Sequence, residues 1–286
     1  MLAFEEKSFA AYLYVRTYDN RYSWICFWNF KFNLSLIIRW KNQMKKIVNG
    51  LNFIEAEDYK KLSEISAKQM IECVKEKPNA LICIATGASP KLAYELFHKM
   101  AYEEHIDLSK LRIIKLDEWL GVKNEDPATS EFYIRKNIIK PLMIKEENYI
   151  GFNASVEDGE AESSRINNIL KKCGPIDLCI LGLGKNGHLG LNEPGEYLLP
   201  YSHVTKLTEK SKTHDMLKKT DAVVNYGITL GIKDILSSNK ILFMVSGDEK
   251  KEAFNAFLEK KIRSSLPASM LWLHDNVVCV FESKCK

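Results

Sequence analysis

A chain of 286 residues, 46% apolar and carrying 41 basic against 37 acidic side chains, has material for one large core or two modest ones. A formal charge of +4 is too mild to point to nucleic acid, and no uninterrupted apolar run is long enough to cross a bilayer, so neither partner is expected. The seven cysteines (26, 73, 83, 173, 179, 279 and 285) are odd in number and lack CxxC spacing, which disfavours zinc and favours a reducing, cytoplasmic setting.

Residues 1–43 differ from the rest. They hold 12 aromatic residues, from a chain total of 13 Phe, 12 Tyr and 5 Trp, and include SWICFWNFKFNLSLIIRW, which keeps neither a helical nor an alternating period. Three readings compete for this atypical extension: a membrane-surface anchor, an extra packing element, or translated sequence upstream of a native start at Met44. The mixed pattern favours the third. Residues 44–286 then read as a single catalytic α/β domain, without repeats or linkers.

Along that domain, Tyr59, Leu62, Ile65, Ala67, Met70 and Val74 recur at roughly helical spacing and predict a helix over 56–76. LICIAT (81–86) predicts a strand. Ser89-Pro90 reads as an N-cap with proline at the first helical position, opening a helix that buries Leu92, Leu96, Phe97 and Met100. LRIIKL (111–116), IDLCILGLG (176–184) and KILFMVSG (240–247) predict further strands, and SMLWLHDNVVCVFES (269–283) is expected to add strand edges. Strands apolar on both faces and separated by helices imply a doubly wound, mostly parallel sheet of Rossmann-like type, with helices on both faces. Ligands of such sheets bind beyond the carboxyl ends of the strands, which directs attention to the loops after Ala85, Leu116, Leu183 and Val245.

The first loop, Thr86-Gly87-Ala88-Ser89, is a turn of small residues entering a helix, suited to a phosphate but equally to a plain tight turn. In the second, Asp117 and Glu118 are neighbours on extended chain and point different ways, so that one can face a pocket while the other faces protein. The third, LGLGKNGHLGLNEPG (181–195), contains the dinucleotide fingerprint Gly182-x-Gly184-x-x-Gly187. Gly190 and Pro194 spoil the helix that motif must open, and no acidic residue closes a second strand about twenty positions on, so the nicotinamide reading fails. What remains is an irregular loop aiming His188 and Glu193 outward. In the fourth, Lys250 can add a cation to the anion site, while Lys251 reads as a solvated helix face.

Together, ATGASP, LDEW, LGLGKNGHLGLNEPG and SGDEK resemble, in order and spacing, the glucosamine-6-phosphate deaminase family over nearly all of residues 44–286. The run GLGKNGHLGLNEPGE is similar to the galactosamine-6-phosphate branch. The resemblance implies a sugar-phosphate-isomerase type of fold and a small-molecule sugar phosphate as partner. It implies isomerisation and deamination of an amino-sugar 6-phosphate, galactosamine 6-phosphate favoured, to a ketose 6-phosphate and ammonia. Neither metal nor organic cofactor is implied, and homo-oligomerisation stays open. By position, His188 and Glu193 would open the ring and Asp117 would move the C1–C2 proton. Thr86, Gly87, Ala88, Ser89 and Lys250 would hold the phosphate.

Two positions depart from the family pattern. Asn186 stands where the glucosamine enzymes carry Asp. Its amide oxygen can accept the His188 ring N–H but cannot stabilise imidazolium, so either Glu193 supplies the charge or His188 works neutral. No arginine lies between Arg165 and Arg263, leaving Lys212 or His214 to replace a substrate-gripping Arg. Two alternatives stand beside the deaminase. One is a 6-phosphogluconolactonase-like lactone hydrolase, which needs no carbon base; the other is a non-catalytic sugar-phosphate sensor.

Overall fold

Ordinary backbone periodicity builds most of the frame. The computed structural model describes residues 50–286, together with the backbone of three short strands: β1 (Leu13–Arg16), β2 (Tyr22–Ile25) and β3 (Lys46–Val48). β1 and β2 pair antiparallel in a unit of their own. The expectation that residues 1–43 are a non-native extension lies outside the described residues.

From Leu51 the elements run β4 (Leu51–Ala56), α1 (Tyr59–Glu76), β5 (Leu81–Ile84), α2 (Ala88–Glu103), β6 (Arg112–Lys115), β7 (Asp117–Trp119) and α3 (Ser130–Ile134). They continue through β8 (Tyr149–Ile150), α4 (Gly159–Cys173), β9 (Leu178–Gly182), β10 (His203–Lys206), α5 (Glu209–Lys212) and β11 (Tyr226–Thr229). The last are α6 (Ile232–Leu236), β12 (Ile241–Val245), α7 (Lys251–Leu258) and β13 (Val277–Glu282). Eight strands form one sheet in the order β3-β4-β13-β12-β9-β5-β6-β8, parallel throughout except where β3 meets β4. The doubly wound expectation holds.

Alternation sorts the core onto two faces. Leu81, Cys83, Cys179, Leu181, Phe243, Val245 and Cys279 pack on one side with Phe254 and Phe257 of α7. Ile82, Ile84, Leu178, Ile180, Leu242, Met244 and Val280 pack on the other with Leu62, Met70 and Val74 of α1 and Phe97 of α2. The cysteines fill these layers as small apolar groups, and the six described are free thiols.

Three details correct the sequence reading. The helix predicted from residue 56 begins at Tyr59, capped by Asp58, because Leu51–Ala56 is a strand. The segment 269–283 is not edge material: β13 lies inside the sheet between β12 and β4, preceded by a 3-10 helix, Pro267–Leu273. A second, three-stranded antiparallel sheet, β10-β11-β7, was not anticipated, and it carries Asp117. Around the β9–β5 pair the chain winds in opposite directions, to β6 and β8 on one side and to β12 and β13 on the other. Backbone ends diverge at such a reversal and leave a crevice.

Candidate active site

A cleft of about 740 Å³ opens at that crevice, lined by residues of all four loops singled out above. At one end, α2 starts from Gly87, whose φ of +109° explains a glycine there. The N-cap is therefore Gly87 rather than Ser89, which lies inside the first turn with Pro90. A glycine has no side chain to cap with, and the first turn holds no acidic residue, so its N–H groups and the positive end of the helix dipole are left for a ligand.

The turn is held from outside. Tyr59 Oη donates to Ala88 O at 2.6 Å and Tyr133 Oη donates to Gly87 O at 2.9 Å. The hydroxyls of Thr86 and Ser130 meet at 3.2 Å, and Ser246 Oγ donates to Ser89 Oγ at 2.9 Å. Lys250 lines the same end, its ammonium pushed below its ordinary value by burial and then by the charges of Lys185 and Lys210. An anion arriving there would remove that penalty.

Asp117 lines the cleft and Glu118 does not, as their opposite directions on extended chain require. Burial, and then the charge of neighbouring Glu118, push the Asp117 carboxyl up to about 7. A carboxyl titrating near neutrality is poised to accept and return a proton.

The third loop is irregular, with Gly187 at φ +86°. A Cβ on Gly184 would collide with the His188 ring, so glycine there lets the imidazole lie against the backbone. His188 lines the cleft. Glu193 does not: it is turned inward behind the histidine, correcting the expectation that both aim outward. Glu193 Oε2 lies 3.6 Å from His188 Nδ1, and Ser211 Oγ lies 3.4 Å from the same nitrogen. Burial alone would raise the Glu193 carboxyl, but His188, Ser211 and Asn186 together hold it below its ordinary value. It is therefore an anion placed to favour the tautomer with the proton on Nδ1, which leaves the Nε2 lone pair free.

Asn186 also differs from expectation. Its Oδ1 accepts from the His188 backbone N–H at 3.2 Å rather than from the ring, and its Nδ2 donates to Glu193 Oε2 at 2.8 Å. Glu193 is thus the group that faces the imidazole, with Asn186 and Thr208, which donates at 3.2 Å, steadying it.

Of the two candidates for a missing arginine, Lys212 lies outside the cleft and pairs with Glu209 at 2.8 Å, whereas His214 lines it. Met216 N donates to His214 Nδ1, placing the ring proton on Nε2, near the Gly87 turn. Burial, then the charges of His188 and Lys250, push His214 down to about 4, so it is a neutral donor at pH 7. Sequence reasoning missed Tyr59, Ser130, Tyr133, Thr208 and Ser211. Each lies on a segment far along the chain from the loop it supports, whereas Ser246, within the predicted strand 240–247, sits at a loop already singled out.

Residues 55–280 match the family model described as glucosamine-6-phosphate isomerases/6-phosphogluconolactonase. The chain is 42% identical over 229 residues to a putative deaminase, AgaI, of Escherichia coli K12, covering 80% of this chain and 91% of that protein. It is 32% identical over 234 residues to glucosamine-6-phosphate deaminase 1 of Bacillus subtilis 168, covering 81% and 97%. Among solved structures, a monomeric glucosamine-6-phosphate deaminase superposes with a TM-score of 0.78 at 32% identity, covering 82% of this chain and 98% of the other. A 6-phosphogluconolactonase of Trypanosoma brucei superposes at 0.67 with 18% identity, covering 82% and 96%, a likeness of fold alone.

Proposed function

The chain belongs to the family of glucosamine-6-phosphate isomerases and 6-phosphogluconolactonases, and from that premise we propose that it isomerises and deaminates an amino-sugar 6-phosphate, galactosamine 6-phosphate preferred. The products are a ketose 6-phosphate and ammonia. The single observation that carries this reading is the coexistence, in one cleft, of an uncapped helix N-terminus beside Lys250 and two proton-transfer groups, Asp117 and the Glu193-backed His188.

In this reading the 6-phosphate sits at Gly87–Ser89 with Lys250, and His214 donates from the opposite wall. His188 Nε2 takes the proton of the anomeric hydroxyl and returns it to the ring oxygen as the C1–O5 bond breaks, while Glu193 stabilises the transient imidazolium. Asp117 then moves the C2 proton to C1 while a proton of the amine passes to O1, so that the open-chain aldehyde and C2 amine become a C1 hydroxymethyl and a C2 imine. Water hydrolyses that imine to the ketone and releases ammonia. Binding energy from the remote phosphate holds C1 and C2 against Asp117.

Lactone hydrolysis would need the anion site and His188 but no carbon base, and Asp117, raised toward neutrality at the cleft wall, favours the isomerase chemistry. The deciding experiment is ammonia release from galactosamine 6-phosphate and glucosamine 6-phosphate. Release from both, faster from the galacto epimer, is expected; none from either overturns the proposal. A reducing, cytoplasmic setting accompanies it, supported by the six described cysteines, all free thiols.

A further inference from the structure

Directly behind Asp117 lies a charged cluster shut away from the cleft. The Lys115 side chain is fully buried, and its Nζ donates to Glu118 Oε2 at 2.8 Å and to Glu131 Oε2 at 2.7 Å. Glu118, also fully buried, accepts three backbone N–H groups besides: Trp119 and Ser130 on Oε1, each at 2.9 Å, and Glu131 on Oε2 at 2.8 Å. Arg135 Nε donates to Glu131 Oε1 at 2.6 Å, and Tyr149 Oη donates to Oε2 at 2.6 Å. Burial would raise the Glu131 carboxyl, yet Lys115 first, then Tyr149 and Arg135, hold it below its ordinary value. Two buried carboxylates thus share the Lys115 ammonium, and Glu131 also meets the Arg135 guanidinium, whose other two nitrogens hold Glu146 at the surface.

Ion pairs this deep are seldom needed for stability, because well-packed apolar residues can serve as well. What this one does geometrically is specific. Glu118 grips the first N–H groups of α3, and α3 carries Ser130, which meets Thr86, and Tyr133, which holds Gly87 O. The covalent neighbour of Glu118 is Asp117. One carboxylate therefore ties the strand that carries the base to the helix that holds the anion turn.

We propose that Glu118, neutralised by Lys115, is a positioning residue that sets the separation between the phosphate turn and Asp117. The proposal rests on the reaction assigned above and deepens it. A displacement of about 1 Å at a reacting centre can cost about 10² in rate even when binding is kept, so the strut acts on turnover more than on affinity.

Glu118→Gln keeps one oxygen for the Trp119 and Ser130 amides and loses the charge and the oxygen that accepts from Lys115 Nζ and the Glu131 amide. It is expected to lower kcat about 10- to 100-fold with KM changed less than about threefold. Around Asp117 the titratable groups are Glu118 and Lys115 on its own stretch, Cys83 on β5, Glu131 on α3 and His188 across the cleft. Removing the like charge of Glu118 should move the acid limb of the pH–rate profile to lower pH; a loosened fold would also move it by hydrating Asp117, so the split between kcat and KM and the cycle below separate positioning from loosening.

The sharper test is a double-mutant cycle with Tyr133→Phe, which cuts the same tie at its other end. If the two residues act through one strut, their effects on kcat are less than additive. Full additivity, or an unchanged kcat in folded Glu118→Gln, overturns the proposal. Should Glu118→Gln not fold, Ser130→Ala takes its place in the cycle under the same criteria. Amide 1H–15N spectra of the free protein keep the two readings apart. Shifted Gly87 and Ala88 amides in Glu118→Gln support the strut even if no amino-sugar phosphate turns over, and unmoved amides count against it.

Discussion

Two carboxylates in this molecule lie in similarly dry surroundings and are used in opposite ways. Glu118 accepts four hydrogen bonds, from Lys115 and three backbone amides, and both oxygens are occupied. Glu193 concentrates its contacts on Oε2, from Asn186 and Thr208 with His188 nearby, while Oε1 is buried without a partner among the described residues. A saturated buried anion has a fixed position and fixes its neighbours. An unsaturated one retains attraction for a charge that forms during reaction, which in the proposed mechanism is the imidazolium of His188. The difference in satisfaction separates a carboxylate that holds the site from one that serves it.

The comparison can be tested from its largest consequence downward. Asp117→Asn, which removes the proton acceptor beside the saturated cluster, should reduce kcat by about 10² to 10⁴ with the circular dichroism spectrum unchanged. A turnover near wild type would refute its role. Lys115→Met leaves two buried carboxylates facing each other without their ammonium, and should cost about 3–5 kcal/mol in a denaturant titration. Glu193→Gln should do the reverse, lowering kcat by about 10² while the denaturation midpoint hardly moves. Equal stability losses in the two variants would erase the contrast drawn here.

A smaller effect concerns pH. Asp117 acts as a base only when ionised, and its carboxyl is raised to about 7. The rate should therefore be sustained above that value and fall about tenfold per pH unit below it. Asp117→Glu, with a longer and more solvated carboxylate, should shift that limb downward. Smallest of all, Ser246→Ala removes one neutral hydrogen bond to Ser89 and should raise KM only about fivefold, measured by initial rates.

Much of this arrangement is legible in the amino-acid order because the responsible signals are local. Uninterrupted apolar runs at 81–84, 178–182 and 241–245 mark strands buried on both faces, and each is followed by a loop that reaches the cleft. The opposite directions of Asp117 and Glu118 follow from extended geometry alone. Gly190 and Pro194 are enough to reject the dinucleotide motif. The inward turn of Glu193 was not legible, since a spacing of five in an irregular loop specifies no face. Nor was the partner of Asn186, whose amide oxygen chooses between two donors, the ring and the backbone N–H of His188, only once the loop has closed.

What the chain order determined was therefore the layered sheet, the four loops at its carboxyl edge and the kinds of side chain they carry. Periodicity and turn chemistry act over a few residues and survive without tertiary contacts. Tertiary structure alone decided that β13 lies inside the sheet, that β7 joins a second sheet, and that Ser130 and Tyr133 reach back to residues 86 and 87. Those outcomes depend on contacts between segments 36 or more residues apart, whose registers are selected by packing and hydrogen bonding once the chain has folded.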